Sequence, residues 1–253
     1  MKSRLSHERE RLDRALVVRG LVTSREDAAR LILAGLVRVD GVMVDKAAKP
    51  IPSHAEVEII GRASPYVGRG GEKLAAGLNE FQIDPRGKIC LDVGCSTGGF
   101  TDCLLQRAAA RVYAVDVGYG QFDWRLRQDA RVVLFERTNI RHLAPGVLPE
   151  PFDVVVIDVS FISLSLVMPC IVPLLAPSGI VLSLIKPQFE VGKGQVGRGG
   201  IVRDEALREA AVQKVIACAG GLGLAVAGRM DCPIEGRKGN REILAWFRRA
   251  FDG

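Results

Sequence analysis

The sequence lacks the features that mark membrane-spanning, secreted and metal-binding proteins. Its most apolar stretch, 171–185, is short and interrupted by two prolines, so no bilayer-spanning segment is predicted. The first residues are charged rather than apolar, which argues against a signal segment and favours a cytoplasmic location. Six cysteines form no CxxC pair and there are only three histidines, so we predict neither a metal site nor a disulfide framework.

Repeats, low-complexity tracts and heptad patterns are missing as well. The chain of 253 residues is therefore expected to form one or two ordinary folded domains, and a monomer is favoured although the oligomeric state is left open. The net charge is +6, and residues 1–38 carry nine Lys/Arg against five Asp/Glu. Such clustering suits a polyanionic partner, but a solvated basic face gives the same pattern.

Two short helices and a hairpin are predicted near the start of the chain. The first helix covers 11–20 and ends at a glycine, and the second covers 24–35 with Ser24 as its N-cap. Alternating apolar residues around an Asp-Gly pair then predict a hairpin over 37–44. We expect residues 1–60 to form a compact α+β unit.

This unit resembles the S4-like RNA-binding domain of a ribosomal protein and of several RNA-modifying enzymes. The resemblance covers about residues 9–60 and rests on the run RLDRALVVRGLVTSREDAARLILAGLVRVDG, followed by a Lys-Pro pair at 49–50. It implies a domain that docks on structured RNA by shape and backbone contact, with ribosomal RNA or ribosomal subunits as the partner. The residues that it implies to face RNA are Arg11, Arg14, Ser24, Arg25 and Arg30.

A larger α/β domain is predicted after a linker. Residues 61–71 contain Gly, Pro and Ser without helical or strand periodicity, so we interpret them as the linker. From 72 to 253, strand-like and helix-like segments alternate, which predicts a largely parallel sheet. Strands are expected near 88–93, 111–115, 132–135, 153–157, 179–185, 224–229 and 242–247. Helices are expected near 71–79, 99–107, 164–175 and 204–219.

A glycine-rich turn joins the first strand of this domain to a helix, in the segment LDVGCSTGGF at 91–100. Glycine at 94 and at 98 lets the backbone pass close to a ligand, which a side chain would prevent. The spacing is not GxGxxG, which disfavours a dehydrogenase, and a purely structural turn is the other alternative. The next strand ends at Asp116, whose carboxylate can accept hydrogen bonds from two ribose hydroxyls.

The glycine turn with Asp116 resembles the S-adenosylmethionine site of the Rossmann-like methyltransferases. The resemblance implies a Rossmann-like domain with a seven-stranded, mostly parallel sheet and S-adenosyl-L-methionine as its cofactor. The cofactor-binding residues that it implies are Asp92, Gly94, Ser96, Thr97, Gly98, Gly99, Phe100, Asp116 and Asn139. Among these, Asn139 is expected to meet the adenine.

Four polar residues of this domain stand near predicted strand ends or on its first helix. They are Lys73, Asp158, Lys186 and Glu242. Ligands of open α/β sheets bind where the strands end, so we expect these side chains to converge. A ribose hydroxyl is a poor nucleophile that needs help in losing its proton, and a neutral lysine can provide it. Taken singly, each of the four could instead be part of a surface ion pair.

Lys-Asp-Lys-Glu is the tetrad of the FtsJ-like ribose 2′-O-methyltransferases. The strings VGRGGEKL, DVSFIS and IKPQFE around it, with the N-terminal unit, resemble the TlyA (haemolysin A-like) family over nearly the whole chain. The resemblance implies methylation of a cytidine 2′-hydroxyl in 16S or 23S ribosomal RNA, or in both. Lys186 is expected to be the proton acceptor or electrostatic stabiliser. Lys73 and Asp158 would set the balance between the charged and neutral forms of Lys186, and Glu242 would orient the ribose or a lysine.

Two positions depart from the family pattern, Gly68 where a serine is common and Ile243 where an aromatic residue is common. The Gly- and Arg-rich segment 186–203 is interpreted as a basic flap beside the site, with an ordinary surface loop as the alternative. Other functions weighed are a catalytically silent ribosome-assembly factor, opposed by the intact tetrad, and a membrane-active haemolysin, for which no suitable helix is present. A pseudouridine synthase can carry the same N-terminal unit, but the glycine turn argues against it.

Overall fold

The computed structural model describes residues 9–33, 35–60, 64–144, 146–148, 151–192, 194–236 and 239–250. It divides the chain into two units, Met1–Arg69 and Gly70–Gly253, and the boundary falls inside the segment interpreted as a linker. Each unit has its own apolar core. In the described ranges, no helix has the length and apolar character needed to cross a membrane.

The N-terminal unit contains the two helices and the hairpin that the sequence predicts. Its helices are α1 (Leu12–Val18) and α2 (Arg25–Leu33), and its strands are β1 (Arg9–Arg11), β2 (Val37–Val39), β3 (Val42–Met43), β4 (Pro50–Pro52) and β5 (Val57–Ile59). Between β2 and β3, Asp40 and Gly41 both have positive φ, as the predicted hairpin turn requires. Leu12, Leu16 and Ile32 are fully buried in the core of the unit. Strands β1, β4 and β5 were not predicted, because three residues are too few to show a periodicity.

The second unit is built around one large sheet. Its helices are α3 (Arg69–Glu80), α4 (Gly99–Gln106), α5 (Trp124–Arg127), α6 (Met168–Ile171), α7 (Pro187–Glu190) and α8 (Glu205–Gly221). Its strands are β6 (Ile89–Val93), β7 (Arg111–Val115), β8 (Val132–Phe135), β9 (Phe152–Ile157), β10 (Leu175–Ile185), β11 (Leu224–Asp231) and β12 (Ile243–Arg249). Short 3-10 turns lie at Ile140–His142, Leu164–Leu166, Val172–Leu174 and Arg198–Gly200.

The seven strands are ordered β11-β12-β10-β9-β6-β7-β8. All neighbours from β10 to β8 pair in parallel, whereas β12 runs antiparallel to both β10 and β11. This confirms the predicted seven-stranded, mostly parallel sheet. From β6 the chain proceeds to β7 and β8 on one side of β6, and it then returns to form β9 on the other side of β6. In open α/β sheets this reversal point carries the ligand crevice, at the carboxyl ends of the strands.

Two predicted segments differ from the structure. Helix α3 already begins at Arg69, so the end of the predicted linker is helical. The single helix predicted over 164–175 is wrong, because a 3-10 turn, a four-residue helix and a second 3-10 turn stand in its place. Pro169 and Pro173 lack the backbone N–H that a continuous helix needs and clash with the preceding turn.

Candidate active site

The turn between β6 and α4 adopts left-handed backbone conformations at Gly94, Ser96 and Gly98, with φ of +88°, +49° and +95°. A Cβ atom on Gly94 would lie 2.6 Å from the carbonyl oxygen of Asp158, and one on Gly98 would lie 2.5 Å from Cδ1 of Leu126. Glycine is therefore required at 94 by a backbone contact within the protein, whereas at 98 it is the positive φ that favours glycine, since the Leu126 side chain could move. The Gly94 contact also brings the turn against the end of β9.

A cleft of about 120 Å³ opens beside this turn. It is lined by Gly70, Gly94, Cys95, Ser96, Thr97, Gly99, Phe100 and Asp158. Five of the residues predicted to bind the cofactor thus line one cleft together with Asp158 of the predicted tetrad. Cys95 lines it as well, and burial raises the pKa of this thiol well above its usual range, so Cys95 is a neutral side chain rather than a nucleophile.

Asp116 follows β7 and shapes the same turn. Its carboxylate accepts hydrogen bonds from the backbone N–H groups of Ser96, at 2.8 Å, and Gly118, at 2.6 Å. Each carboxylate oxygen has a second lone pair, so Asp116 can hold the turn and still accept a ribose hydroxyl. Asn139 caps a 3-10 turn by accepting the backbone N–H of Arg141 at 3.1 Å. It is not among the residues that line the cleft.

Asp92 is fully buried within β6. One carboxyl oxygen accepts a 2.6 Å hydrogen bond from the hydroxyl of Thr101 in α4, and the other has no partner within the described ranges. Burial raises the pKa of Asp92 to about 7. From this position Asp92 ties β6 to α4 beside the glycine turn; it is not among the residues that line the cleft, and its contact with the cofactor stays a prediction.

Three residues of the predicted tetrad lie at adjacent strand ends. Asp158 directly follows β9, Lys186 directly follows β10, and Glu242 directly precedes β12. Because β9 and β10 pair in parallel and β10 and β12 pair antiparallel, these positions share one edge of the sheet. Lys73, on α3, reaches the same edge through its contact with Glu242. All four residues, distant along the chain, are brought together.

The two lysines form two separate ion pairs. Lys73 Nζ lies 2.5 Å from Glu242 Oε2, and these side chains are 11% and 3% exposed. Lys186 Nζ lies 2.6 Å from Asp158 Oδ1, with side chains 11% and 22% exposed. An isolated charge at such depth would be costly, so each amine depends on its carboxylate partner.

Two polar residues beside the tetrad were missed by the sequence reasoning. Ser160 accepts a 2.9 Å hydrogen bond from Lys186 Nζ. The side chain of Asn240 is buried, donates to the carbonyl oxygen of Gly200 at 2.8 Å and accepts the N–H of Val202 at 3.0 Å. The predicted flap, 186–203, is thus tied at its end to the turn that carries Glu242. Lys193, in its middle, lies outside the described residues, so the flap stays a prediction.

In the N-terminal unit, Arg11 and Arg25 both hold the buried carboxylate of Asp13. Their guanidinium nitrogens lie 2.9 and 2.7 Å from Asp13 Oδ2. The hydrogen bonds from Arg11, joined by those from Arg25, keep the pKa of Asp13 well below its usual value. The two arginines are exposed and can still contact phosphate, but each also has this internal structural role.

The other three residues predicted to face RNA differ in how they are engaged. Arg30 pairs with Asp27 at 2.7 Å. Ser24 caps α2, accepting the backbone N–H of Asp27 at 3.0 Å and donating to its carboxylate at 2.8 Å. Arg14 is exposed and forms no ion pair within the described ranges. Arg14 is therefore the cleanest candidate for an RNA phosphate contact.

The FtsJ-like methyltransferase family matches residues 66–249 of the chain, and the S4 domain matches residues 10–57. The chain is thus a member of the FtsJ-like methyltransferases that carries an S4 domain before its catalytic unit. This family membership agrees with the seven-stranded, mostly parallel sheet of the second unit.

Individual relatives define the family more closely. The 16S/23S rRNA (cytidine-2'-O)-methyltransferase TlyA of Mycobacterium tuberculosis is 46% identical over 245 residues, which cover 96% of this chain and 91% of that protein. Hemolysin A of Brachyspira hyodysenteriae is 43% identical over 94% of this chain and 99% of its own. A solved structure from Streptococcus thermophilus, described as a candidate hemolysin, has a TM-score of 0.75 at 41% identity and covers 96% of this chain and 90% of its own. The chain belongs to the TlyA family, as its motifs predicted.

Proposed function

We propose that this protein transfers a methyl group from S-adenosyl-L-methionine to the 2′-hydroxyl of a cytidine in ribosomal RNA. The observation that carries the proposal is the presence of two ion pairs at one sheet edge, the buried Lys73–Glu242 and the half-buried Lys186–Asp158, with Asp158 lining the cleft of the glycine turn. The name of the M. tuberculosis relative states this reaction for 16S and 23S rRNA, and it supports the choice of nucleoside and substrate.

The residues around the cleft suit this cofactor. When bound, S-adenosylmethionine supplies an electrophilic methyl group on a positively charged sulfur. With Lys186 in its neutral form, Asp158 leaves a negative charge in the cleft wall, which favours a cationic ligand over a neutral one. Asp116, already fixed by two backbone N–H groups, keeps lone pairs for the hydroxyls of the cofactor ribose.

The tetrad prepares the acceptor. Lys186, in its neutral form, takes the proton that the 2′-hydroxyl loses as the oxygen is methylated. Asp158 then stabilises the resulting ammonium at 2.6 Å. The Lys73–Glu242 pair, at the same sheet edge, orients the ribose so that its oxygen faces the methyl donor.

The reaction is tested in three separate incubations, each with the purified protein and methyl-labelled cofactor. The substrate is 30S subunits in the first, 50S subunits in the second and protein-free ribosomal RNA in the third. We expect label in 2′-O-methylcytidine after nuclease digestion and mass spectrometry. Label on a base would contradict the chemistry, and label on the ribose of another nucleoside would contradict the choice of cytidine. Cofactor binding without any transfer would favour the catalytically silent assembly factor.

We further propose that the S4 domain provides the contact to ribosomal RNA, and Arg14→Glu tests it. Reversing an exposed charge that has no ion-pair partner among the described residues should weaken subunit binding about 10-fold and make the salt dependence of binding shallower. Filter binding over a series of salt concentrations measures both. The matched control is Arg86→Glu, an exposed arginine of the catalytic unit. Equal effects of the two variants would mean that binding follows net charge and not this domain.

A further inference from the structure

Ser160 makes a direct contact with the lysine that we expect to accept the proton. It lies on the loop after β9, two residues beyond Asp158, and its Oγ accepts a 2.9 Å hydrogen bond from Lys186 Nζ. Asp158 Oδ1 lies 2.6 Å from the same nitrogen. Within the described ranges Asp158 Oδ1 has no hydrogen-bond partner, so its contact with Lys186 is an ion pair, and Ser160 is the residue that accepts a hydrogen bond from the amine.

The hydrogen bond to Ser160 restricts where the lone pair of a neutral Lys186 points. The nitrogen of a neutral amine is tetrahedral and bears the side-chain carbon, two hydrogens and one lone pair. A single acceptor engages one hydrogen and leaves the lone pair either of two positions around the Cε–Nζ bond. The ion pair with Asp158 fixes no direction, so without the Ser160 contact all three positions would be open to the lone pair, including the one that faces Ser160. Orientation of this kind contributes to rate because the proton transfer needs an aligned acceptor.

The loop that carries Ser160 is held by a buried carboxylate on the helix after Lys186. Glu190, in α7, accepts the backbone N–H of Leu164 at 2.7 Å and the hydroxyl of Ser163 at 2.5 Å. Only 5% of Glu190 is exposed. The two segments that supply Ser160 and Lys186 are thus fastened to each other, which keeps the hydroxyl at a fixed position from the amine.

We propose that Ser160 is a positioning residue that directs the lone pair of Lys186 toward the ribose 2′-hydroxyl. The inference rests on the proposed function and adds to it a residue outside the Lys-Asp-Lys-Glu tetrad. Ser160 acts through Lys186 and does not exchange a proton itself.

The test compares Ser160→Ala with Ser160→Thr, which keeps the hydroxyl. We expect Ser160→Ala to lower kcat about 10- to 100-fold, with the KM for RNA and the Kd for cofactor within about twofold of the starting protein. Ser160→Thr should recover most of kcat. Ser165→Ala is the matched control, because it removes a hydroxyl of the same loop whose Oγ has no hydrogen-bond partner within the described ranges. This control should leave kcat unchanged.

The outcomes separate the inference from the function on which it rests. An unchanged kcat in Ser160→Ala, with ribose methylation intact, overturns the positioning role and leaves the proposed function standing. Loss of cofactor binding in parallel with kcat, or failure of Ser160→Thr to recover activity, also overturns it in favour of a structural role. If the unmodified protein methylates no ribose, both proposals fail.

Discussion

Replacing Lys186 with methionine is expected to lower the rate of ribose methylation by about 10²- to 10⁴-fold, the usual contribution of a general base. Methionine keeps an unbranched side chain but removes the nitrogen that contacts Asp158 and Ser160. The glycine turn is untouched, so the affinity for cofactor should stay within a few-fold. Single-turnover methyl transfer and equilibrium cofactor binding measure the two quantities.

Lys186→Arg distinguishes the two roles that the sequence left open for this lysine. A guanidinium keeps the positive charge and can still pair with Asp158, but it does not lose a proton in proteins. We expect Lys186→Arg to be almost as inactive as the methionine variant, because proton acceptance is lost. Substantial activity in the arginine variant would contradict proton acceptance and favour an electrostatic role. The matched control is Lys88→Met, which replaces an exposed lysine at the end of β6 that lies away from the glycine turn.

The architecture of the catalytic unit follows closely from local pattern. The strands at Arg111–Val115 and Val132–Phe135 lie where they were predicted to the residue, because short apolar runs between polar turns are distinctive. The helix predicted over 164–175 failed although Pro169 and Pro173 were visible in the sequence. Apolar spacing favours a helix there, but it takes no account of the missing N–H groups.

The members of the candidate site could be predicted from the motifs, but their pairing could not. Lys73 and Glu242 are 169 residues apart, and their contact depends on β12 being inserted beside β10. Sequence alone allows either lysine to pair with either acid. The same holds for Asp92, whose motif position implied a ligand contact, whereas the packing of β6 on α4 buries it against Thr101.

Ser160 and Asp13 show a second kind of limit. Ser160 belongs to the DVSFIS string, but a serine two residues after a strand has many ordinary explanations, and only its distance to Lys186 gives it a role. The structure buries Asp13 between Arg11 and Arg25, so two arginines that the S4-like resemblance implied to face RNA also hold the N-terminal unit together.

Breaking the Lys73–Glu242 pair is expected to have the largest effect on stability. Glu242→Gln leaves the ammonium of Lys73 buried without a countercharge. Lys73→Met leaves the carboxylate of Glu242 buried without one. Removing one partner of a buried pair costs about 3–5 kcal/mol of the free energy of unfolding. Urea unfolding followed by tryptophan fluorescence measures this loss in the catalytic unit, because both tryptophans, Trp124 and Trp246, belong to it. A loss below about 1 kcal/mol would mean that the pair behaves as if exposed.

The double variant Lys73→Met with Glu242→Leu separates the stability of this pair from its part in the reaction. Replacing both charges by apolar groups of similar volume leaves no uncompensated ion, and such replacements are often neutral or stabilising. We therefore expect the free energy of unfolding to return close to that of the starting protein, while ribose methylation stays abolished. Cofactor affinity, set by the glycine turn, should be retained. A double variant that regained activity along with stability would show that the pair only supports the fold, and the chemistry would then rest on Lys186 and Asp158 alone.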